Sequence, residues 1–121
     1  SMREKLQLKC TGIDQEVQYL SGGNQQKAVF AKSLLIRPKM LLLDDPTVGI
    51  DVEAKAAIAG LIRSIADGNN GVLLISSEME ELERLCDRVL VLSKGEIKKE
   101  LCRNKGDEIT ETVLAEAIQT A

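Results

Sequence analysis

Three short stretches of this 121-residue chain set out groups that could handle a phosphate. Asp44-Asp45 closes the run Met40-Leu41-Leu42-Leu43. A short, unalternating apolar run predicts a parallel strand buried on both faces. The two carboxylates then stand at its C-terminal end, where open α/β sheets place ligand chemistry. One could hold Mg²⁺ through water while its neighbour orients a water for attack on phosphorus. A strand end meeting solvent, with Asp45-Pro46 opening a turn, accounts for the same residues equally well. Ser21-Gly22-Gly23 sits at a predicted helix start. Paired glycines let a ligand approach the backbone, and first-turn N–H groups carry partial positive charge. So short a motif is more simply an N-cap with a flexible turn. Ser77-x-x-Glu80 has the form of a capping box, which gives Ser77 a structural task as the N-cap of the helix behind it.

The elements that must position these groups follow from hydrophobic spacing. Behind Ser21, residues Ala28, Ala31, Leu34 and Leu35 recur at helical intervals as far as Arg37-Pro38, where proline stops the helix. After the first strand, Asp51 is placed to cap a helix whose stripe is Ile58, Leu61, Ile62 and Ile65. That helix ends in the turn cluster Asp67-Gly68-Asn69-Asn70-Gly71. Val72–Ile75 is a second buried strand. Met79, Leu82, Leu85 and Cys86 line one side of the next helix. Arg88–Ser93 and Glu96–Leu101 flank Lys94-Gly95 as a hairpin, and Thr110 caps a closing helix with Val113, Leu114, Ala117 and Ile118 inward. The order is α/β: parallel core strands flanked by helices, plus a C-terminal hairpin and helix. Residues 3–20, with a short helical stretch at Arg3–Lys9, precede that body, and Ser1-Met2 reads as the remnant of a cleaved tag.

Composition closes off several classes of function. Aromatic residues are 2% of the chain, Tyr19 and Phe30 alone, so bases have almost nothing to stack on. The net charge of -3 is wrong for a phosphate-backbone surface, and no nucleic-acid partner is expected. Cys10, Cys86 and Cys102 are odd in number and lack CxxC spacing; they read as reduced, buried small hydrophobes. No apolar run approaches the roughly 20 residues that span a bilayer. Lys27 and Lys32 lack a glycine-rich context and read as solvated helix charges.

The motifs gain force in combination. Leu20-Ser21-Gly22-Gly23-Asn24-Gln25-Gln26-Lys27, then Leu41-Leu42-Leu43-Asp44-Asp45-Pro46-Thr47 and Val48-Gly49-Ile50-Asp51, follow in the order and spacing of one family. The chain resembles the ATP-binding subunits of ABC transporters in the signature motif (Leu20–Asn24), the Walker B strand (Leu41–Asp45) and the D-loop (Val48–Asp51). The likeness continues through Ile75–Met79 and Cys86–Val89, so it covers nearly the whole chain. Asn24-Gln25-Gln26-Lys27, Gly49-Ile50-Asp51-Val52 and Ser76-Ser77-Glu78 are similar to the second cassette of ribose/galactose-type sugar importers, in which two cassettes share one polypeptide.

The resemblance implies a partial P-loop NTPase fold, residues 21–121 being the C-terminal part of an ATP-binding domain and 3–20 the end of its helical subdomain. It implies that Ser21, Gly22, Gly23 and Asn24 meet the γ-phosphate of an ATP held by a second cassette, with Asn24 where glutamine is usual. Asp44 would hold Mg²⁺ through water, Asp45 would stand at the catalytic-glutamate position, Ser77 at the switch-histidine position, and Asp51 at the interface between cassettes. The implied partners are that second cassette, transmembrane permease subunits and, indirectly, a periplasmic sugar-binding protein. The implied place is cytoplasmic, peripheral on the inner face of the cell membrane. Two departures matter. The chain contains no histidine, and Asp45 is one methylene shorter than glutamate, withdrawing the carboxylate by roughly 1.5 Å. The chain also contains no G-x-x-x-x-G-K-[ST] loop, so on its own it is expected neither to bind nucleotide measurably nor to hydrolyse it. A sheet of so few strands is expected to expose apolar edges and to make the isolated chain self-associate. The alternative reading is a degenerate cassette that supplies signature residues in trans and no chemistry of its own.

Overall fold

Helix and strand alternate as far as Ile75 in a computed structural model, which describes residues 22–121; a hairpin flanked by helices follows. The expectations for Arg3–Lys9 and for Ser21 lie outside the described residues. The chain divides after Ile75 into two units.

Unit 1 contains α1 (Gly22–Leu35), β1 (Met40–Asp44), α2 (Val52–Asp67) and β2 (Gly71–Ile75). α2 begins as its sequence dictates: the Asp51 carboxylate accepts the Ala54 N–H at 2.9 Å, satisfying one of the orphan donors of a first turn. Ile58, Ile62 and Ile65, spaced four and three apart, are buried along it. At its far end the Gly68 N–H reaches the Ser64 and Ile65 carbonyls, and the Asn70 side chain donates to Ile65 at 3.2 Å. β1 and β2 pair in parallel, Met40 beside Gly71 through Asp44 beside Ile75.

Two features of unit 1 differ from the expectation. The strands are covered on one face only: Leu41 is buried, while Met40, Leu42, Leu73 and Ile75 on the other face are exposed, Leu42 by 67%. With successive side chains on opposite faces, a single helical layer can cover only every second residue. In α1 the inward residue is Phe30, 2% exposed, while Leu35 is 69% exposed. Gly23 and Phe30 lie seven residues apart, hence on one helical face. Phe30 has far more apolar area to bury than any alanine of the stripe expected from spacing.

Unit 2 contains α3 (Met79–Leu85), β3 (Arg88–Ser93), β4 (Glu96–Cys102), a 3₁₀ turn (Arg103–Lys105) and α4 (Glu111–Gln119). Lys94 and Gly95 both have positive φ, 52° and 79°, as a two-residue hairpin turn requires. The antiparallel register slips by one residue between Val91 and Leu92, a bulge. The core gathers Val89, Leu101, Ile109 and Leu114, with Met79, Leu82, Cys86 and Val113 packed against it. Thr110 caps α4, its hydroxyl accepting the Val113 N–H. Ile118 lies outward and exposed, leaving Val113, Leu114 and Ala117 as the inward residues. Arg103 binds the two ends of the unit together. Its guanidinium donates to the Glu83 and Cys86 carbonyls at the end of α3 and to Ile109 before α4. No helix among the described residues is long and apolar enough to cross a membrane.

Candidate functional site

Unit 1 places the two glycines of the signature differently. Among the described residues, nothing comes within 4 Å of the position a Cβ on Gly22 would occupy. On Gly23 the same atom would lie 2.6 Å from Ala54 Cβ, 3.4 Å from Ile50 Cγ2 and 3.7 Å from Asp51 Oδ2. As far as the described residues go, Gly22 leaves the backbone open to approach, and Gly23 lets the start of α1 dock on the start of α2. The structure thus brings Gly23 and Asp51 together. Asn24 is half-buried in the first turn of α1.

Asp44 and Asp45 are both exposed at the end of β1. Asp45 adopts a left-handed backbone with φ of 42°, a conformation in which aspartate is several-fold enriched over most non-glycine residues. Its N–H donates to the Ile75 carbonyl at 2.8 Å, which ties the pair to the end of β2, and its carbonyl accepts the Val48 N–H at 3.3 Å. Pro46 and Thr47 are buried behind that turn. Ile50 N–H then donates to Thr47, and Gly49 takes a positive φ of 74° on the way to Asp51. Asp44, Asp45 and Asp51 are thus successive stations on one hydrogen-bonded turn. No cluster of three or more metal-ligating side chains occurs among the described residues. This donor set cannot cage a cation alone, but it suits Mg²⁺, which takes one or two carboxylates and completes its shell with phosphate and water.

Ser77 lies in unit 2 and is exposed. The capping box is not formed. The N-cap of α3 is Glu78, without a side-chain cap bond. The Ser76 hydroxyl accepts the Glu78 N–H at 3.1 Å and donates to Glu81 Oε2 at 2.5 Å. A serine hydroxyl bonding the amide two residues on is a common local turn, and it competes with the capping geometry that Ser77 would need. Neither Ser76 nor Glu81 stood out in the sequence. A carboxylate five residues beyond a serine was the only available sign.

Cys86 and Cys102 are free thiols. Burial, aided by Asp87 and Glu81 and opposed by Arg103, pushes the Cys86 thiol up from its ordinary 9.0 to about 11. Cys86 is packing, not a nucleophile.

Residues 2–48 match the family described as ABC transporter. A ribose import ATP-binding protein of Chelativorans sp. (strain BNC1) is 48% identical over 118 residues, covering 95% of this chain and 23% of that protein. An L-arabinose transport ATP-binding protein of Geobacillus stearothermophilus is 43% identical over 106 residues, 88% of this chain and 21% of its own length. The chain therefore spans about a fifth of these curated relatives. The cassette MJ1267 in its ADP conformation superposes with a TM-score of 0.73 at 23% identity, over 84% of this chain and 39% of that one. A dimeric MJ0796 cassette bound to ADP and Pi gives 0.69 at 23% identity, over 82% and 43%. The alternation of helices with a parallel strand pair is thus part of the P-loop cassette fold. In its motifs, relatives and fold the chain belongs to the ABC transporter family.

Proposed function

We propose that the chain is the C-terminal part of an ATP-binding cassette that couples ATP binding and hydrolysis to import of a simple sugar. The observation that carries this reading is the exposed carboxylate pair at the end of β1, with Asp45 held in a left-handed conformation by Ile75. In it Asp44 holds Mg²⁺ through water and Asp45 orients the attacking water; the ion, when bound, neutralises charge on the phosphates. Ser21, Gly22, Gly23 and Asn24 meet the γ-phosphate of an ATP on a second cassette, Gly22 offering the open backbone. Asp51 lies at the interface between cassettes, and Ser77 faces the γ-phosphate from the switch position. The sugar assignment rests on the names of the relatives, ribose and arabinose transporters. The partners are a second cassette, permease subunits and, through them, a periplasmic sugar-binding protein, which places the subunit on the inner face of the membrane.

The test is ATP turnover by the complete subunit assembled with its permease. Asp45→Asn keeps the turn and removes the charge, and turnover is expected to fall by about a hundredfold. Unchanged turnover would overturn the role of Asp45.

A further inference from the structure

Among the described residues Glu81 is the buried carboxylate, 9% exposed. The function proposed above gives it nothing to do. A carboxylate so placed is costly unless its oxygens are bonded. One of them takes the Ser76 hydroxyl at 2.5 Å, and the same hydroxyl takes the Glu78 amide. The amide bond closes around Ser77, and the carboxylate bond anchors that closure five residues on, in α3.

Ser77 is thereby connected to the core of unit 2 through a short series of fixed groups. Met79, Leu82 and Cys86 seat α3 against Val89, Leu101, Ile109 and Leu114. Arg103 holds the other end of that helix through the Glu83 and Cys86 carbonyls. Glu81, in the first turn, then fixes Ser76, and Ser76 fixes the backbone on both sides of Ser77. A hydrogen bond to an ionised acceptor is about twice as strong as a neutral one. Removing the hydroxyl would take one bond from the buried carboxylate and one from the Glu78 amide at once.

We propose that Ser76 and Glu81 are a positioning pair, holding the backbone of residues 76–78 so that Ser77 presents its hydroxyl at one fixed place to the terminal phosphate of ATP. The proposal rests on the reading of Ser77 given above. Neither member of the pair touches the nucleotide, so both act through Ser77.

The experiment measures kcat and KM for MgATP in the complete, permease-assembled subunit. Ser77→Ala and Ser76→Ala are each expected to lower kcat by about tenfold while KM stays within about twofold. Glu81→Met is expected to match Ser76→Ala, and Ser76→Thr, which keeps the hydroxyl, to recover most of the rate. In a Ser77→Ala background, Ser76→Ala is expected to add less than about twofold, because the two act as one unit. Unchanged kcat in Ser77→Ala would overturn the reading of Ser77 itself. If Ser77→Ala slows turnover while Ser76→Ala or Glu81→Met does not, the positioning pair is wrong and the Ser77 reading stands. The same holds if the Ser76→Ala loss recurs in full in the Ser77→Ala background, which would mark a general structural defect. Ser76→Thr retains the native bonds and keeps the series interpretable should either deletion fold poorly.

Discussion

Replacing Gly23 by alanine should destabilise unit 1 although it puts a better helix former into α1. The new Cβ would stand 2.6 Å from Ala54 Cβ, where carbon pairs prefer 3.5–4.0 Å, an overlap of about 1 Å. Both atoms lie on helix backbones, so no flexible side chain can swing away; the two helix starts must part. Overpacking of this kind costs about 1–3 kcal/mol, and the helical gain of alanine over glycine offsets at most about 1 kcal/mol. The net expectation is a loss of about 1–2 kcal/mol, read as a fall of roughly 0.5–1 M in the urea midpoint at unchanged slope. Ala54→Gly removes the other methyl, so the double variant should recover stability relative to the sum of the singles, with a coupling of about 1–2 kcal/mol. Gly22→Ala, which meets nothing among the described residues, should stay within about 0.5 kcal/mol of the parent. A Gly23→Ala chain as stable as the parent, or strictly additive losses in the double variant, would refute the packing role.

Three further outcomes are expected. Asp45→Glu restores the methylene and should raise ATP turnover of the complete subunit by up to about a hundredfold; a fall would mean that the left-handed turn at φ 42° is tuned to aspartate. Arg103→Ala should lower stability to urea by about 1–3 kcal/mol, and Arg103→Lys should recover little of it, because a point charge cannot serve the carbonyls that the guanidinium reaches. Cys86, with its thiol pushed up to about 11, should alkylate at pH 8 about a hundredfold more slowly than a thiol at its ordinary value. Its folded pKa exceeds the unfolded one, so in that window the native state keeps a proton the unfolded chain has lost. Its contribution to stability should therefore decline as pH rises from about 9 towards 11, visible as a falling unfolding midpoint that a Cys86→Ala chain does not share.

Much of the local structure was legible because it depends on neighbours in sequence. Asp51 and Thr110 cap the helices that follow them, and Lys94-Gly95 makes its turn, because each needs only atoms three or four residues away. What spacing could not settle is competition between equally local solutions. Ser76 and Ser77 are adjacent serines with glutamates ahead of both; which one takes the Glu78 amide and the Glu81 carboxylate depends on how α3 seats on its core. Phe30 against Leu35 is the same kind of choice, decided by which face of α1 turns inward. The one-sided cover of β1 and β2 was hidden for a different reason. An apolar run records that a strand tolerates burial on both faces, not that both faces are met. The candidate site followed the same division: the resemblance named Asp44, Asp45 and Ser77, while the distinct tasks of Gly22 and Gly23, and the part played by Ser76 and Glu81, needed distances.

The two pairs of strands also imply an order of assembly. Met40 pairs with Gly71, 71 − 40 = 31 positions away, across a whole helix; Ser93 pairs with Glu96 across two residues. Closing the longer loop carries the greater entropic cost and waits on α2 being in place, whereas a hairpin of this kind closes within about 1–10 μs. Unit 2 should therefore gain amide protection ahead of unit 1 during refolding. The segment before α3 would then be set ahead of the strand end that carries Asp44 and Asp45, so slow-folding molecules accumulate with unit 2 formed and the carboxylates still unplaced.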